Sequence, residues 1–372
     1  MPRAAARTCP APSGRESLHP ILAARPPRRA LVIKLGHIGD VLVTTPVFTA
    51  LKEAFPQVSL TALVNAGTEA MVEHNPFIDQ VWVLERHHRG RWQELRFQLG
   101  LLRRLRRAGF DLSLELSAGD RGAFLSWVAG APLRVGFTPK RPHLRARAFH
   151  LLAPRYHPRQ HVVSTFLGQV RLLGLRPRDT ALKLHPGEEA RCRVAELMTA
   201  HGLEPGGFAV VHPTSRWMFK CWTPEGNAAV IRHLLRRGLS VVLTAAPSAK
   251  EQRFLELVKS CLGRSAPVVD LAGRLSLSQL AALLERARIF FGVDTAPMHM
   301  AAARGTPVVV LFGPSGERMW GPWQVDCEVV VGDCPQHPCG RAGCNDSKVS
   351  RCLVDLDPER VIAAVDRLLE RS

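Results

Sequence analysis

From residue 30 onward, short apolar runs alternate with amphipathic stretches. ALVIKL at 30–35 reads as a short buried strand, and GHIGD follows at 36–40. A helical pattern then places Val43, Val47, Ala50, Leu51 and Ala54 on one face. Pro46 falls in its first turns, where proline is best tolerated. VSLTALV at 58–64 and QVWVL at 80–84 read as further strands, followed by an Arg-rich helix over about 91–108. LSLEL at 112–116 and LRVGF at 133–137 extend the alternation. This pattern predicts a parallel sheet wound with helices.

The second half repeats the scheme. FAVVHP at 208–213 is a strand entering a loop. Thr223 caps the next helix, Pro224 occupies its first position and Gly238 ends it. VVLTA at 241–245 follows, then a capping box of Ser248 with Glu251 and a stop at Gly263. VVDLAG at 268–273 leads to a second box, Ser276 with Gln279. IFFGVD at 289–294, a short helix ending at Gly305 and PVVVLFG at 307–313 close the series. An amphipathic helix over 358–369 fits against either half.

The predicted fold class is therefore α/β, with two Rossmann-like, doubly wound domains facing a central cleft. Residues 1–29 read as a disordered basic tail or a misassigned start. Residues 30–180 form the first domain and 181–352 the second, with a Cys-rich loop at 334–352 and a final helix in 353–372. Open α/β sheets bind ligands outside the carboxyl ends of their strands. Three loops at such ends carry polar residues: 36–40, 212–222 and 292–299.

Composition narrows the classes. Apolar residues make up 46% and charged residues 22% of 372 positions, which suits a soluble two-domain protein and excludes fibrous or wholly disordered chains. No apolar run is long enough for a spanning helix. The net charge of +18 points to an anionic partner. Six Arg and one Lys fall between 134 and 160 with no acid, and eight Arg against one Glu fall between Arg86 and Arg107. The first 29 residues lack the apolar core of a secretory signal, so a cytoplasmic location is expected. Nine cysteines do not make a disulfide scaffold. Cys334, Cys339, Cys344 and Cys352 cluster with spacings open to either structural zinc or reduced thiols.

Each loop offers a chemistry. Gly36 and Gly39 permit close backbone approach, and the helix start beyond them offers free N–H groups to an anion. Asp40 there reads either as a helix cap or as a general base facing the cleft. In HPTSRWMFKCW at 212–222, Thr214, Ser215 and Lys220 suit a diphosphate. Trp217, Phe219 and Trp222 argue against a fully solvated loop. In GVDTAPMHMAAARG at 292–305, Asp294 and Thr295 open a helix whose positive end faces the cleft, with His299 one turn in.

Together these loops resemble glycosyltransferase family 9, the heptosyltransferases of lipopolysaccharide core synthesis. The resemblance covers about residues 30–370. It rests on GHIGDVLVTTPVFTALKEAFP at 36–56, HPTSRWMFKCWTPE at 212–225, GVDTAPMHMAAARGTPVVVLFGPS at 292–315 and the late Cys loop. FKCW at 219–222 and MWGPW at 319–323 look closest to the heptosyltransferase III branch. The resemblance implies a GT-B fold and inverting transfer, and since the sequence offers no carboxylate cluster suited to Mg²⁺, transfer without metal or cofactor is expected. It implies ADP-L-glycero-D-manno-heptose as donor and the inner core on lipid A as acceptor. By the same resemblance, Asp40 is the base, Thr214, Ser215 and Lys220 hold the donor phosphates, and Asp294, Thr295 and His299 hold donor sugar and phosphate. The first half would bind acceptor and the second donor. Ala296-Pro297 replaces the Gly-Leu of some members, and Ala246-Pro247 stands where some carry an acidic ribose ligand.

The basic strip, represented by Lys140, Arg141, Arg145 and Arg147, is expected to meet acceptor phosphates or the inner leaflet of the cytoplasmic membrane, making the protein peripheral there. Alternatives are a family member with another nucleotide-sugar or acceptor, or a non-transferase nucleotide-sugar-binding Rossmann-like protein. An epimerase or reductase would need a G-x-G-x-x-G loop and an acidic ribose ligand, and the sequence has neither. A nucleic-acid partner is not expected, because the strip lacks interleaved aromatics beyond Phe137, Phe149 and Tyr156.

Overall fold

A computed structural model describes residues 18–85, 90–139, 144–155, 159–263 and 266–371. Lys140 and Arg141 of the basic strip, and residues 1–17 of the expected tail, lie outside these ranges. The first half contributes β1 (Arg29–Lys34), β2 (Ser59–Asn65), β3 (Gln80–Leu84), β4 (Leu112–Glu115), β5 (Leu133–Phe137) and β6 (Leu151–Ala153). The second contributes β7 (Phe208–His212), β8 (Ser240–Leu243), β9 (Val268–Asp270), β10 (Ile289–Val293), β11 (Val308–Phe312) and β12 (Cys327–Val331). Strand order is β3-β2-β1-β4-β5-β6 in one sheet and β12-β11-β10-β7-β8-β9 in the other. All neighbours pair in parallel. In each sheet the order reverses beside its first strand, between β1 and β4 and between β7 and β10. These two switch points are where a doubly wound sheet opens a crevice for ligand.

The helices of the first half are α1 (Pro20–Ala24), α2 (Ile38–Leu42), α3 (Thr45–Ala54), α4 (Arg91–Arg107), α5 (Asp120–Ala129) and α6 (Val162–Leu172). Those of the second are α7 (Glu188–Ala200), α8 (Pro224–Arg236), α9 (Ala249–Leu262), α10 (Leu277–Leu284), α11 (Ala296–Arg304), α12 (Glu317–Trp320), α13 (Arg351–Val354) and α14 (Pro358–Arg371). Strands buried on both faces send alternate side chains to opposite layers. In β1, Ala30 and Val32 face one core and Leu31 and Ile33 another. In β7, Phe208 and Val210 face the first of these cores, while Ala209 and Val211 face a third. One apolar cluster is thus shared by the two halves, so they meet through packed core as well as across a polar cleft.

Polar contacts fix the junction. The Lys183 amide donates to Thr45 Oγ1 at 2.9 Å. The His161 ring stacks on Trp323 with centroids 4.5 Å apart. His161 Nδ1 accepts from the Val163 amide, so Nε2 carries the proton donated to Gly321 O at 3.0 Å. Trp323 Nε1 in turn donates to Thr180 O at 2.8 Å. Trp323 and the Gly321 carbonyl of MWGPW therefore tie the second half to the first.

Several expectations shift in detail. The tail boundary moves: residues 18–29 are ordered, with α1 capped by His19 and Leu22 fully buried. The single helix expected after GHIGD divides into α2 and α3 around Thr44, whose hydroxyl donates back to Val41 O. The edge strands β6 and β12 were not expected, being short or only half-buried, with weak alternation. The final helix settles on the second half, against α8, β11 and β12.

Candidate active site

β1 ends at the loop carrying Gly36 and Gly39. His37 is the residue before α2, and Asp40 occupies its first turn. Asp40 Oδ2 accepts from the His37 amide at 3.0 Å, closing a capping box. One carboxylate oxygen is thus held by the backbone while the residue stays partly exposed. A methyl group on Gly36 would lie 2.7 Å from Asp40 Cβ, so only glycine lets Asp40 fold over the loop. At Gly39 it would lie 3.1 Å from His299 Cδ2 and 3.5 Å from Ala296 Cα. Gly39 is therefore the point where α2 of one half touches α11 of the other.

Beneath Asp40 lies a buried ionic group that sequence reasoning missed. Lys34, the last residue of β1, is 4% exposed, and Glu115, the last of β4, is 1% exposed. Lys34 Nζ donates to Leu116 O at 3.1 Å and sits 4.3 Å above the Phe166 ring. Burial pushes the Lys34 ammonium below its usual range, and the negative charges of Asp40 and Glu115 pull it partly back. Burial pushes the Glu115 carboxyl up, against the Ser117 and Ala118 amides that donate to it and the Lys34 charge. Charged residues at the ends of two buried runs were the available signal, since such residues are rarely buried unless paired.

Across the cleft, β7 leads into the 213–220 loop and β10 into Asp294. Lys220 Nζ donates to Asp294 Oδ2 at 2.6 Å, and the Ser315 hydroxyl donates to the same oxygen. Asp294 is nearly buried, while Lys220 keeps 22% of its side chain exposed. Thr295 starts α11 with extended backbone and a hydroxyl not engaged in capping. Pro297 in the first turn carries no N–H, so the turn offers fewer amides to an anion than a helix without proline.

Thr214 and Ser215 are fully or nearly buried. Thr214 Oγ1 donates to Glu251 Oε2 at 2.8 Å, so its proton is committed inside the protein. Ser215 Oγ accepts from the Trp217 amide at 3.3 Å. Glu251 also receives the Ala246 amide and the Ser248 hydroxyl. The expected Ser248–Glu251 box is thus only half formed: Ser248 accepts from the Glu251 amide, while the Glu251 carboxylate turns to the 212–215 loop. Ala246-Pro247 therefore sits beside a carboxylate that organises the loop from within.

His299 is buried and held near pKa 4 by burial, within range of the charges of Asp294, His161, Asp40 and Lys220. It is neutral at pH 7, and its Nδ1 is buried without a partner in the protein. His212 is likewise held at about 4 by burial and contacts Thr244 Oγ1 at 3.0 Å. Arg216 reaches over the cleft to His37, with Nη1 and Nδ1 3.3 Å apart. The three loops singled out in the sequence, from both halves, thus converge on one cleft.

The Cys-rich loop buttresses this side. Ser350 Oγ donates to Phe219 O at 2.5 Å, beneath the turn carrying Lys220. His337 links Gly313 O at 2.8 Å to Glu317 at 2.7 Å, bracketing Ser315. Cys334, Cys339, Cys344 and Cys352 are free thiols. Burial, then the neighbouring thiols, pushes Cys352 up to about 11. Among the described residues no group of three or more His, Cys, Asp or Glu is arranged to hold a metal ion. In the basic strip Arg147 is exposed, but Arg145 turns inward. Its Nη1 donates to Ala118 O at 2.6 Å and lies 3.4 Å from Asp120, an acid that sequence spacing did not bring to the strip.

Residues 98–350 match the family described as glycosyltransferase family 9 (heptosyltransferase). The chain is 30% identical over 337 residues to lipopolysaccharide heptosyltransferase 3 of Escherichia coli K12, covering 89% of this chain and 95% of that one. A family 9 glycosyltransferase structure from Veillonella parvula superposes with TM-score 0.77 at 25% identity, covering 93% and 98% of the two chains. The structure of Escherichia coli ADP-heptose lipopolysaccharide heptosyltransferase II shares the fold, with TM-score 0.73 at 20% identity over 92% and 99%. Two doubly wound sheets with paired switch points, and one cleft gathering Asp40, Lys220, Asp294 and His299, agree with these likenesses: the chain is a glycosyltransferase and belongs to family 9, the heptosyltransferases.

Proposed function

We propose that this enzyme transfers heptose from ADP-L-glycero-D-manno-heptose to the inner core of lipopolysaccharide, with inversion at the anomeric carbon. The observation that carries the reading is the pairing, across one cleft, of a backbone-held carboxylate on the first half with the partly exposed Lys220 ammonium and a helix N-terminus on the second. The likeness to a heptosyltransferase 3 and to a structure titled for ADP-heptose supports this donor and acceptor.

An acceptor hydroxyl is a poor nucleophile. Asp40 takes its proton as the oxygen attacks the anomeric carbon, and the bond from that carbon to the β-phosphate oxygen breaks. The leaving ADP gathers charge that Lys220 and the start of α11 stabilise. Thr214 and Ser215 act by fixing the loop that presents Lys220. His299, neutral and with an unused Nδ1, is placed to hydrogen-bond donor sugar or phosphate as Asp294 and Thr295 shape the same corner. The acceptor is lipid-anchored, so the protein works peripherally on the inner leaflet. No helix among the described residues is long and apolar enough to cross a membrane.

The test is transfer from ADP-heptose to a heptose-deficient core acceptor, with and without EDTA. Turnover should be equal in both, because the stabilising charges are side chains and helix-end amides. Loss of activity in EDTA with prompt rescue by Mg²⁺ contradicts this mechanism.

A further inference from the structure

We infer that α4 and α5 together form a face that docks on an anionic lipid bilayer, with aromatic rings entering the headgroup layer and arginines on the lipid phosphates. The inference rests on the proposal that the acceptor is lipid-anchored, and it names the surface that brings the enzyme to it.

α4 is apolar on two sides. Phe97, Leu101 and Leu105, spaced four apart, pack into the core behind the first sheet. That burial accounts for the helix, yet its outer side carries Trp92 at 79% exposure, Leu95 at 48% and Leu99 at 41%. α5 packs alongside and buries Leu125 and Ala129 in the same core. Outward it shows Phe124 at 50% and Trp127 at 57% exposure, with ring centroids 6.3 Å apart. Five large exposed apolar side chains thus stand on two adjacent helices, where a soluble surface would carry polar ones.

The charge around them is mainly positive, and the exposed Asp120 at the start of α5 lies 3.4 Å from Arg145. Arg96, Arg103 and Arg107 follow Trp92 and Leu99 along the outer side of α4 and are exposed. The one acid of α4, Glu94, receives the Gln98 amide at 2.6 Å. Arg121 on α5 and Arg147 in the adjoining 144–148 turn are also exposed. A two-fold contact between copies of this face would set arginine against arginine. A bilayer interface accepts both features: tryptophan and phenylalanine settle at headgroup depth, and each arginine meets an anionic lipid.

The experiment uses the full chain and sucrose-loaded phosphatidylcholine vesicles with or without phosphatidylglycerol. The native protein should partition onto the anionic vesicles, and brominated lipid should quench its tryptophan fluorescence. Replacing Arg96, Arg103 and Arg107 by Gln together should weaken partition roughly a hundredfold, an effect that fades in high salt. Replacing Trp92, Phe124 and Trp127 by Ser should weaken it at least about tenfold and abolish the salt-resistant part. Trp92→Phe with Trp127→Phe should keep binding but lose the quenching. All three variants should retain transfer to a lipid-free core oligosaccharide, which shows that they fold. Unchanged vesicle binding in the aromatic variant, or unquenched native fluorescence, overturns the inference. So does a native dimer in sedimentation velocity that the aromatic variant dissociates, since the face would then be a self-contact. Failure of the native enzyme to transfer to the lipid-free acceptor would instead sink the proposed reaction, leaving the vesicle result to stand by itself.

Discussion

Asp40→Asn should lower turnover by about 10²–10⁴ while leaving donor affinity unchanged. Asparagine is nearly isosteric and its carbonyl oxygen can still accept from the His37 amide, the contact that closes the α2 capping box. The loop over Gly36 and the touch of Gly39 on His299 are therefore preserved, and only the capacity to take a proton is lost. Calorimetry with the nucleotide-sugar would show native affinity, because in the proposed reaction the donor occupies the other wall of the cleft. Near-normal turnover would reduce Asp40 to a helix cap and remove the base from the mechanism.

Lys220→Ala should weaken binding of the diphosphate donor by about 10- to 150-fold, the equivalent of one charge-assisted contact. Free adenosine, which lacks the phosphates, should lose almost nothing. The substitution also strips Asp294 of its 2.6 Å ammonium partner and leaves the Ser315 hydroxyl on that oxygen. Lys220→Arg, which restores the charge as a planar guanidinium in place of a compact ammonium, should recover part of the donor affinity. Equal weakening of adenosine and ADP-heptose would place Lys220 away from the phosphates.

The strand–helix alternation was readable because buried parallel strands are continuous apolar runs and their helices are capped by recognisable residues. Thr223 and Ser276 with Gln279 start helices, and Gly305 ends one, where the sequence indicates. The half-exposed edge strand β12 offers only three consecutive valines after Glu328, too short a run to read as a strand. Among the candidate site residues, Asp40 and Asp294 stood out because each follows a strand beside a glycine or a helix start, while Lys220 and His299 lie farther along the loop after β7 and within α11. The partners of these residues were not legible. The Lys220–Asp294 pair joins positions 74 residues apart, and Arg216 meets His37 over 179. Glu251 resembled a local cap because its spacing from Ser248 is helical, while its carboxylate answers to Thr214 on another strand's loop. The buried Lys34 and Glu115 were hidden inside runs that otherwise read as plain strands.

Heptose transfer to the lipopolysaccharide core is the proposed reaction. It is tested most directly by the mass of core oligosaccharide from cells lacking this chain, complemented with the native protein or with Asp40→Asn. Native complementation should add a single heptose to the inner core, and Asp40→Asn should leave the core at its shortened mass. Cores of identical mass in all three strains, or a mass difference belonging to another sugar, would contradict it.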